Sequence, residues 1–234
     1  MKKPAIIAIL CIALFSFSTA NTVKSKDRGY LITIPDDWRS IPNRVISEVI
    51  DEVAKDDSPF ARQKIEFAFQ PKDLKELFTN SYILVEYDEL KNPQMLRIDQ
   101  CEKLYTPEIR KKAKGLASSF LPFTMVDSII FSQKSNIIWA KAVTSIGDVP
   151  LIRMLAGFIP TSDGMLKIYC YSKPYDYHKN EKVFTQIIYS VAFQGEDSES
   201  SSFFESINIV KIIVIIIGAV FAGLSAVALK KNLT

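Results

Sequence analysis

The period of apolar positions changes several times along the chain. Residues 29–35, GYLITIP, concentrate β-branched and aromatic side chains and predict a strand. Over residues 41–55 the period lengthens. Val45, Ile46, Val49, Ile50 and Val53 then share one helical face, with Pro42 suited to the first turn and Ser40 to the cap. Residues 65–69 and 82–87 return to strand character. Thr106 offers a cap, Pro107 a first helical position and Glu108 a first-turn acid, which predicts a helix through Ala113 towards Phe120. Four strands follow closely, at residues 124–132, 136–146, 150–159 and 165–172. A last helix covers residues 177–189, with Val183, Phe184, Ile187 and Ile188 as its buried side, and residues 191–193 close the pattern as an extended segment.

The links between those four strands are too short for parallel crossovers, so they predict antiparallel hairpins. Strands in the middle with helices at both ends predict an α+β domain, an antiparallel sheet flanked by helices. The opening TIPDDW (Thr33 to Trp38), the hairpin run and the closing QIIYSVAF (Gln186 to Phe193) resemble the PsbP-like family of α/β/α sandwich domains. The resemblance covers about 170 residues and its motifs are structural. It implies an exported bacterial domain, in a family whose members are anchored by a lipid or a helix and act as assembly or accessory factors without a shared catalytic motif. No site residue is carried over from it.

Both ends of the 234-residue chain are apolar. Lys2 and Lys3, a 13-residue apolar run at residues 5–17, and Ser18 and Ala20 at −3 and −1 read as a signal peptide over residues 1–20. Cys11 follows Leu10 inside the apolar run, which does not fit a lipoprotein signal. Residues 212–229 are 18 positions without a charge. At 1.5 Å per residue they span roughly 27 Å, enough for one transmembrane helix. Lys211 precedes this helix and Lys230 and Lys231 follow it, favouring a cytoplasmic tail at residues 230–234. Residues 21–194 then form an exported domain in the periplasm or outside, anchored in the bacterial inner (plasma) membrane through an acidic tether at residues 195–211. Gly218, Ala222 and Ala226 recur at four-residue spacing, which suits close packing of a second helix, whether self-association or docking.

Composition changes this picture in one respect. Five lysines at the apolar ends account for the formal charge of +3; the other 24 of the 29 basic residues face all 26 acids, a net of −2 for the rest of the chain. The basic surplus therefore concerns membrane orientation, and no nucleic-acid partner is expected.

Candidate chemistry is sparse. The sole histidine, His178, stands without a metal-ligand spacing or a nucleophile motif and reads as a surface or capping residue. Asp36-Asp37 and Asp56-Asp57 read as solvated carboxylates, with an acid/base pair as the alternative. Arg110, Lys111, Lys112 and Lys114 form a basic helical face, solvated or touching anionic headgroups. Tyr169 and Tyr171 share a strand face opposite Ile168 and Cys170; with Tyr175 and Tyr177 they form either a contact layer between sheet and helix or a binding surface. Trp38 reads as a core plug before a ligand platform. After cleavage Cys101 and Cys170 remain, an even pair whose exported compartment permits a disulfide, although Cys170 shares a face with Leu166 and Ile168 and reads equally as a buried thiol. No cofactor and no metal site is expected. The function reading is a non-catalytic, membrane-anchored protein-binding or accessory factor of the cell envelope. An envelope enzyme using carboxylates and a small-ligand or lipid sensor are its alternatives.

The signal-peptide reading places the mature N-terminus at Asn21. Intact-mass measurement of the processed protein checks this, and a chain beginning upstream of residue 18 would overturn it.

Overall fold

Nine consecutive residues at the centre of the molecule, GMLKIYCYS, are all buried. They form the strand that organises the rest. The computed structural model describes residues 21–53, 65–78, 80–89, 98–107, 111, 124–146, 149–161 and 163–194. The strands are β1 (Asn21–Lys24), β2 (Tyr30–Ile34), β3 (Trp38–Ser40), β4 (Ile65–Pro71), β5 (Tyr82–Glu89), β6 (Thr124–Ser132), β7 (Ile137–Ile146), β8 (Val149–Pro160), β9 (Gly164–Ser172) and β10 (Ala192–Phe193). The helices are α1 (Asn43–Val53), α2 (Ile98–Leu104) and α3 (Pro174–Tyr189).

The main sheet has seven antiparallel strands in the order β3-β4-β5-β9-β8-β7-β6, and a three-stranded sheet has the order β1-β2-β10. The predicted hairpins β6-β7-β8-β9 are observed. Asn136 closes the first of them at φ 51°, in the left-handed region that asparagine tolerates. The pairing of β5 with β9 joins segments far apart in sequence and registers Glu86 opposite Lys167.

Alternation along β9 divides the interior in two. Met165, Tyr169 and Tyr171 enter one core with Ile46 of α1 and Ile98 and Cys101 of α2. Leu166, Ile168 and Cys170 enter the other with Tyr177, Phe184, Ile187 and Ile188 of α3 and Tyr30, Ile32 and Ile34 of β2. Each such side chain, fully buried, contributes roughly 1.5–3 kcal/mol, so the four on α3 outweigh any difference in helix propensity along it. Asn180 donates to Ser81 Oγ at 2.7 Å and Ser172 Oγ at 3.0 Å, and the Thr33 amide donates to Ser190 Oγ at 2.9 Å, fastening both ends of α3. Tyr30 donates to Glu66 Oε2 at 2.6 Å, while Ser25 donates to the other oxygen of the same carboxylate, tying the small sheet to β4.

Several expectations are corrected. The closing extended segment is observed as β10, which emerges from α3 in its layer and pairs with β2, not with the main sheet. The last helix begins at Pro174, with Lys173 as its cap, so Tyr175 and Tyr177 are helical. A helix precedes Thr106 that the sequence reading did not contain, α2, with Asp99 in its first turn and Lys103 in its last; Thr106 itself is non-helical and Pro107 helical, as the cap reading expected, and the stretch towards Phe120 lies, apart from Lys111, outside the described residues. Ser40 ends β3, and the Pro42 carbonyl accepts the first helical bonds of α1. The two cysteines are free, buried thiols on opposite sides of the main sheet, which prevents a disulfide. Burial pushes the Cys101 thiol up to about 11 and the Cys170 thiol well above its ordinary value, so both stay protonated and unreactive. The signal peptide, the tether, the transmembrane helix with Gly218, Ala222 and Ala226, and Asp56, Asp57, Arg110, Lys112 and Lys114 lie outside the described residues. Among the described residues no helix is long and apolar enough to cross a membrane.

Gly157 of β8 lets α3 approach the sheet: a Cβ there would lie 2.5 Å from Ile188 Cγ2, a stiff branched side chain with nowhere to move. Gly157→Val is expected to destabilise the fold by about 3 kcal/mol, the upper range for overpacking, as read by urea denaturation.

Candidate functional site

The tyrosines do not form one surface. Tyr169 and Tyr171 are buried under α1 and α2, Tyr171 stacked on Tyr82 at 4.7 Å between centroids. Tyr177 is buried on the α3 side, and only Tyr175 is exposed, at 72%. The sheet separates the first two from the last two, because the strand alternates and the helix lies on one face. Trp38 is a core side chain against Phe184, 6.0 Å between ring centroids. Asp36 and Asp37 occupy the turn between β2 and β3, where Asp36 accepts from Asn21 at 3.2 Å. Lys111 and His178 are exposed. Among the described residues no group of three or more His, Cys, Asp or Glu side chains could hold a metal ion.

The main titratable cluster inside the domain is one that sequence reading missed. Lys167, 3% exposed, lies 3.5 Å from Glu86 and also pairs with Asp88, while Tyr169 donates to Glu86 Oε2 at 3.3 Å. Burial is the main reason that the Glu86 carboxyl is raised to about 7; Lys167 opposes the shift and Asp88 adds to it. One buried cation facing two carboxylates favours retaining a proton on Glu86. Lys167 and Glu86 are buried and only Asp88 reaches solvent, so the pair's chemistry concerns stability.

Accessible chemistry lies along β6 and β7, on the face that carries α3. α3 packs on β8, β9 and β2. Beyond it, cross-strand neighbours Ile130 and Trp139 lie in a row, and Tyr189 from the end of α3 meets Trp139 at 5.2 Å between centroids. Ile130 is 52% exposed and Tyr189 55%. Two residues along β7, Lys141 forms a 2.7 Å ion pair with Glu181 of α3. There a cleft of about 140 Å³ opens, lined by Asp127, Lys141, Arg153, Tyr177, His178 and Glu181, with Ala142 and Met154. The Arg153 guanidinium lies over the Tyr177 ring at 5.5 Å from its centroid. Asp127 is the extra residue of a bulge in β6. Ridge and cleft form one trough between α3 and β6, which is an edge of the main sheet among the described residues. The sequence held one signal for it: consecutive Ile129 and Ile130 cannot both face one core from a strand.

The architecture is α+β, with a seven-stranded antiparallel sheet and a helix against it, and resembles the PsbP, Mog1 and LpqN folds at low sequence identity. It is similar to the solution structure of the cyanobacterial PsbP of Synechocystis, at 10% identity and a TM-score of 0.48, over 82% of this chain and 98% of that one. It is also similar to the crystal structure of LpqN, involved in cell envelope biogenesis of Mycobacterium tuberculosis, at 12% identity and a TM-score of 0.43, over 74% and 88% of the respective chains. A mutant of Mog1 matches at 7% identity and a TM-score of 0.39, over 74% of this chain and 95% of that one. No protein-family model and no curated protein matches the sequence. The likeness is one of fold.

A Glu86 carboxyl at about 7 gives the fold a pH dependence. From about pH 4.5 to 7 the unfolded chain, with an ordinary carboxyl, binds fewer protons than the folded one, so stability falls as pH rises through that window. The expected loss between pH 5 and 8 is on the order of 3 kcal/mol. Denaturation across that range should show it, and Glu86→Gln should flatten the slope.

Proposed function

We propose that this chain is an exported, single-pass membrane protein of the cell envelope whose domain at residues 21–194 is a non-catalytic protein-binding or accessory module. The observation that carries this reading is the row of exposed Ile130 and Tyr189 with half-buried Trp139 between them, on β6, β7 and the end of α3, where β6 is an edge of the main sheet among the described residues. Aromatic and aliphatic side chains clustered on a surface cost free energy in water and regain it when a partner covers them. Trp and Tyr are also the residues that most often dominate protein interfaces. The apolar ends read in the sequence supply the rest: a signal that exports the domain and a helix at residues 212–229 that anchors it. Confinement to a membrane surface raises the effective concentration of the domain for a membrane-bound partner.

Photo-crosslinking in intact cells tests the reading. A crosslinker at Ile130 should give one defined protein adduct, and the same crosslinker at exposed Lys72 should not. Trp139→Ala should cut the yield about fivefold or more, the effect of losing roughly 1 kcal/mol at an interface. Alanine at Asp36 or Asp37 should leave the yield and the cellular role unchanged. A single carboxylate substitution that abolished the cellular role, with stability and adduct intact, would transfer the assignment to an enzyme.

A further inference from the structure

Arg153 is the unexplained charge of the trough. Its neighbours in the cleft include two carboxylates, yet Glu181 is engaged with Lys141 and no ion pair joins Arg153 to Asp127. The guanidinium lies on the Tyr177 ring, which orients the planar fork and leaves its donor edge unused. A fork held in this way suits a carboxylate or a phosphate. The cleft is about 140 Å³, well below the several hundred Å³ of a site that encloses a small molecule. It has room for one functional group, which must then belong to something larger.

The position of the cleft decides between a membrane headgroup and a protein. The described chain ends at Gln194, whose amide donates to the Gly29 carbonyl beside Arg28, and Arg28 pairs with Glu89. Glu89 registers with Gly164 at one end of β9, whereas Arg153 registers with Ser172 at the other. Eight residues of strand, about 27 Å, separate the two ends. The described chain therefore ends opposite the cleft; under the anchored reading proposed above, this favours a protein over the headgroups of the anchoring membrane.

Spacing within the trough gives the ligand its form. Trp139 registers with Gly157, four residues along β8 from Arg153, a span of about 13 Å. An extended segment covers the same distance in four residues and places both side chains on one face. We propose that the trough binds an extended acidic segment of a protein partner, with an aromatic or aliphatic residue on the Ile130, Trp139 and Tyr189 ridge and a carboxylate four positions away on Arg153. This rests on the protein-binding reading above and names the chemistry of the partner. Asp127, on the β6 wall of the cleft, opposes the incoming acid and sets an upper limit on its affinity.

The test uses the full chain in nanodiscs of phosphatidylcholine and fluorescent peptides of about nine residues. Each peptide carries one Trp in a Ser/Thr background, with Glu, Gln or Lys four positions before or after it. Anisotropy titrations should give Glu peptides about tenfold tighter than their Gln counterparts, the effect of one charge-assisted contact. Arg153→Gln should remove that difference, and Arg153→Glu should transfer the preference to the Lys peptides, a reversal that only a folded protein can show. Asp127→Asn, at an exposed position, should tighten the Glu peptides a few-fold. Equal binding of Glu, Gln and Lys peptides that Trp139→Ala still weakens would overturn the acidic pocket and leave the protein-binding reading standing. Absence of any Trp139-dependent binding would overturn both. Competition by phosphatidylglycerol vesicles that depends on Arg153 would reassign the cleft to a lipid headgroup.

Discussion

The whole domain depends on burying β9 from both sides. A strand at the centre of a seven-stranded sheet has no exposed face, so all eight of its side chains, Gly164 having none, must find partners in one of two interiors. Seven are apolar, aromatic or hydroxylic, and satisfy this by packing. Lys167 cannot. A lone ammonium in such a place would cost several kcal/mol, and the β5–β9 register sets Glu86 directly across from it with Asp88 close by. The long-range pairing of β5 with β9 thus makes the buried charge tolerable. The Glu86 carboxyl stays raised because its burial outweighs the attraction of Lys167, with the second acid, Asp88, adding to the shift.

The trough follows from widths. Strands lie about 4.8 Å apart and a helix with its side chains is about 10 Å wide, so one helix covers roughly two strands. α3 covers β8 and β9, and β2 of the small sheet lies on its other flank. The strands left over on this face are β6 and β7. On the opposite face the same strands receive α2 and bury Ile129 and Ile138. The row Ile130–Trp139 is therefore a continuation of the sheet that no described helix covers, and Tyr189 marks where α3 stops.

The charged half of the trough has a different origin. Near the start of α3 the helix and the sheet meet through polar groups, and Lys141–Glu181 bridges them directly. Arg153 uses the face of Tyr177 in place of a carboxylate. The outcome is a mixed surface, apolar at mid-sheet and carrying charges of both signs at the end remote from the chain exit, where a docked segment is read by both shape and charge.

Local pattern determined much of this in advance. Strand alternation placed Cys170 with Leu166 and Ile168, and opposite Tyr169 and Tyr171, as observed, because a side-chain period of two is a property of the backbone alone. Short turns likewise dictated the hairpins β6 to β9, and one apolar stripe gave the buried face of α3. The sequence could not say that Cys101 and Cys170 lie on opposite sides of the sheet, that Tyr169 and Tyr177 never meet, or that Ala192 and Phe193 pair with β2 in a second sheet. Those facts depend on which distant strands pair and on which face each helix lies, and neither is encoded in a local period. Arg153 shows this most clearly. In the sequence it is one of 29 basic residues. Only the packing of α3 beside β8 brings Tyr177 beneath it and leaves it, among the described residues, without an ion pair.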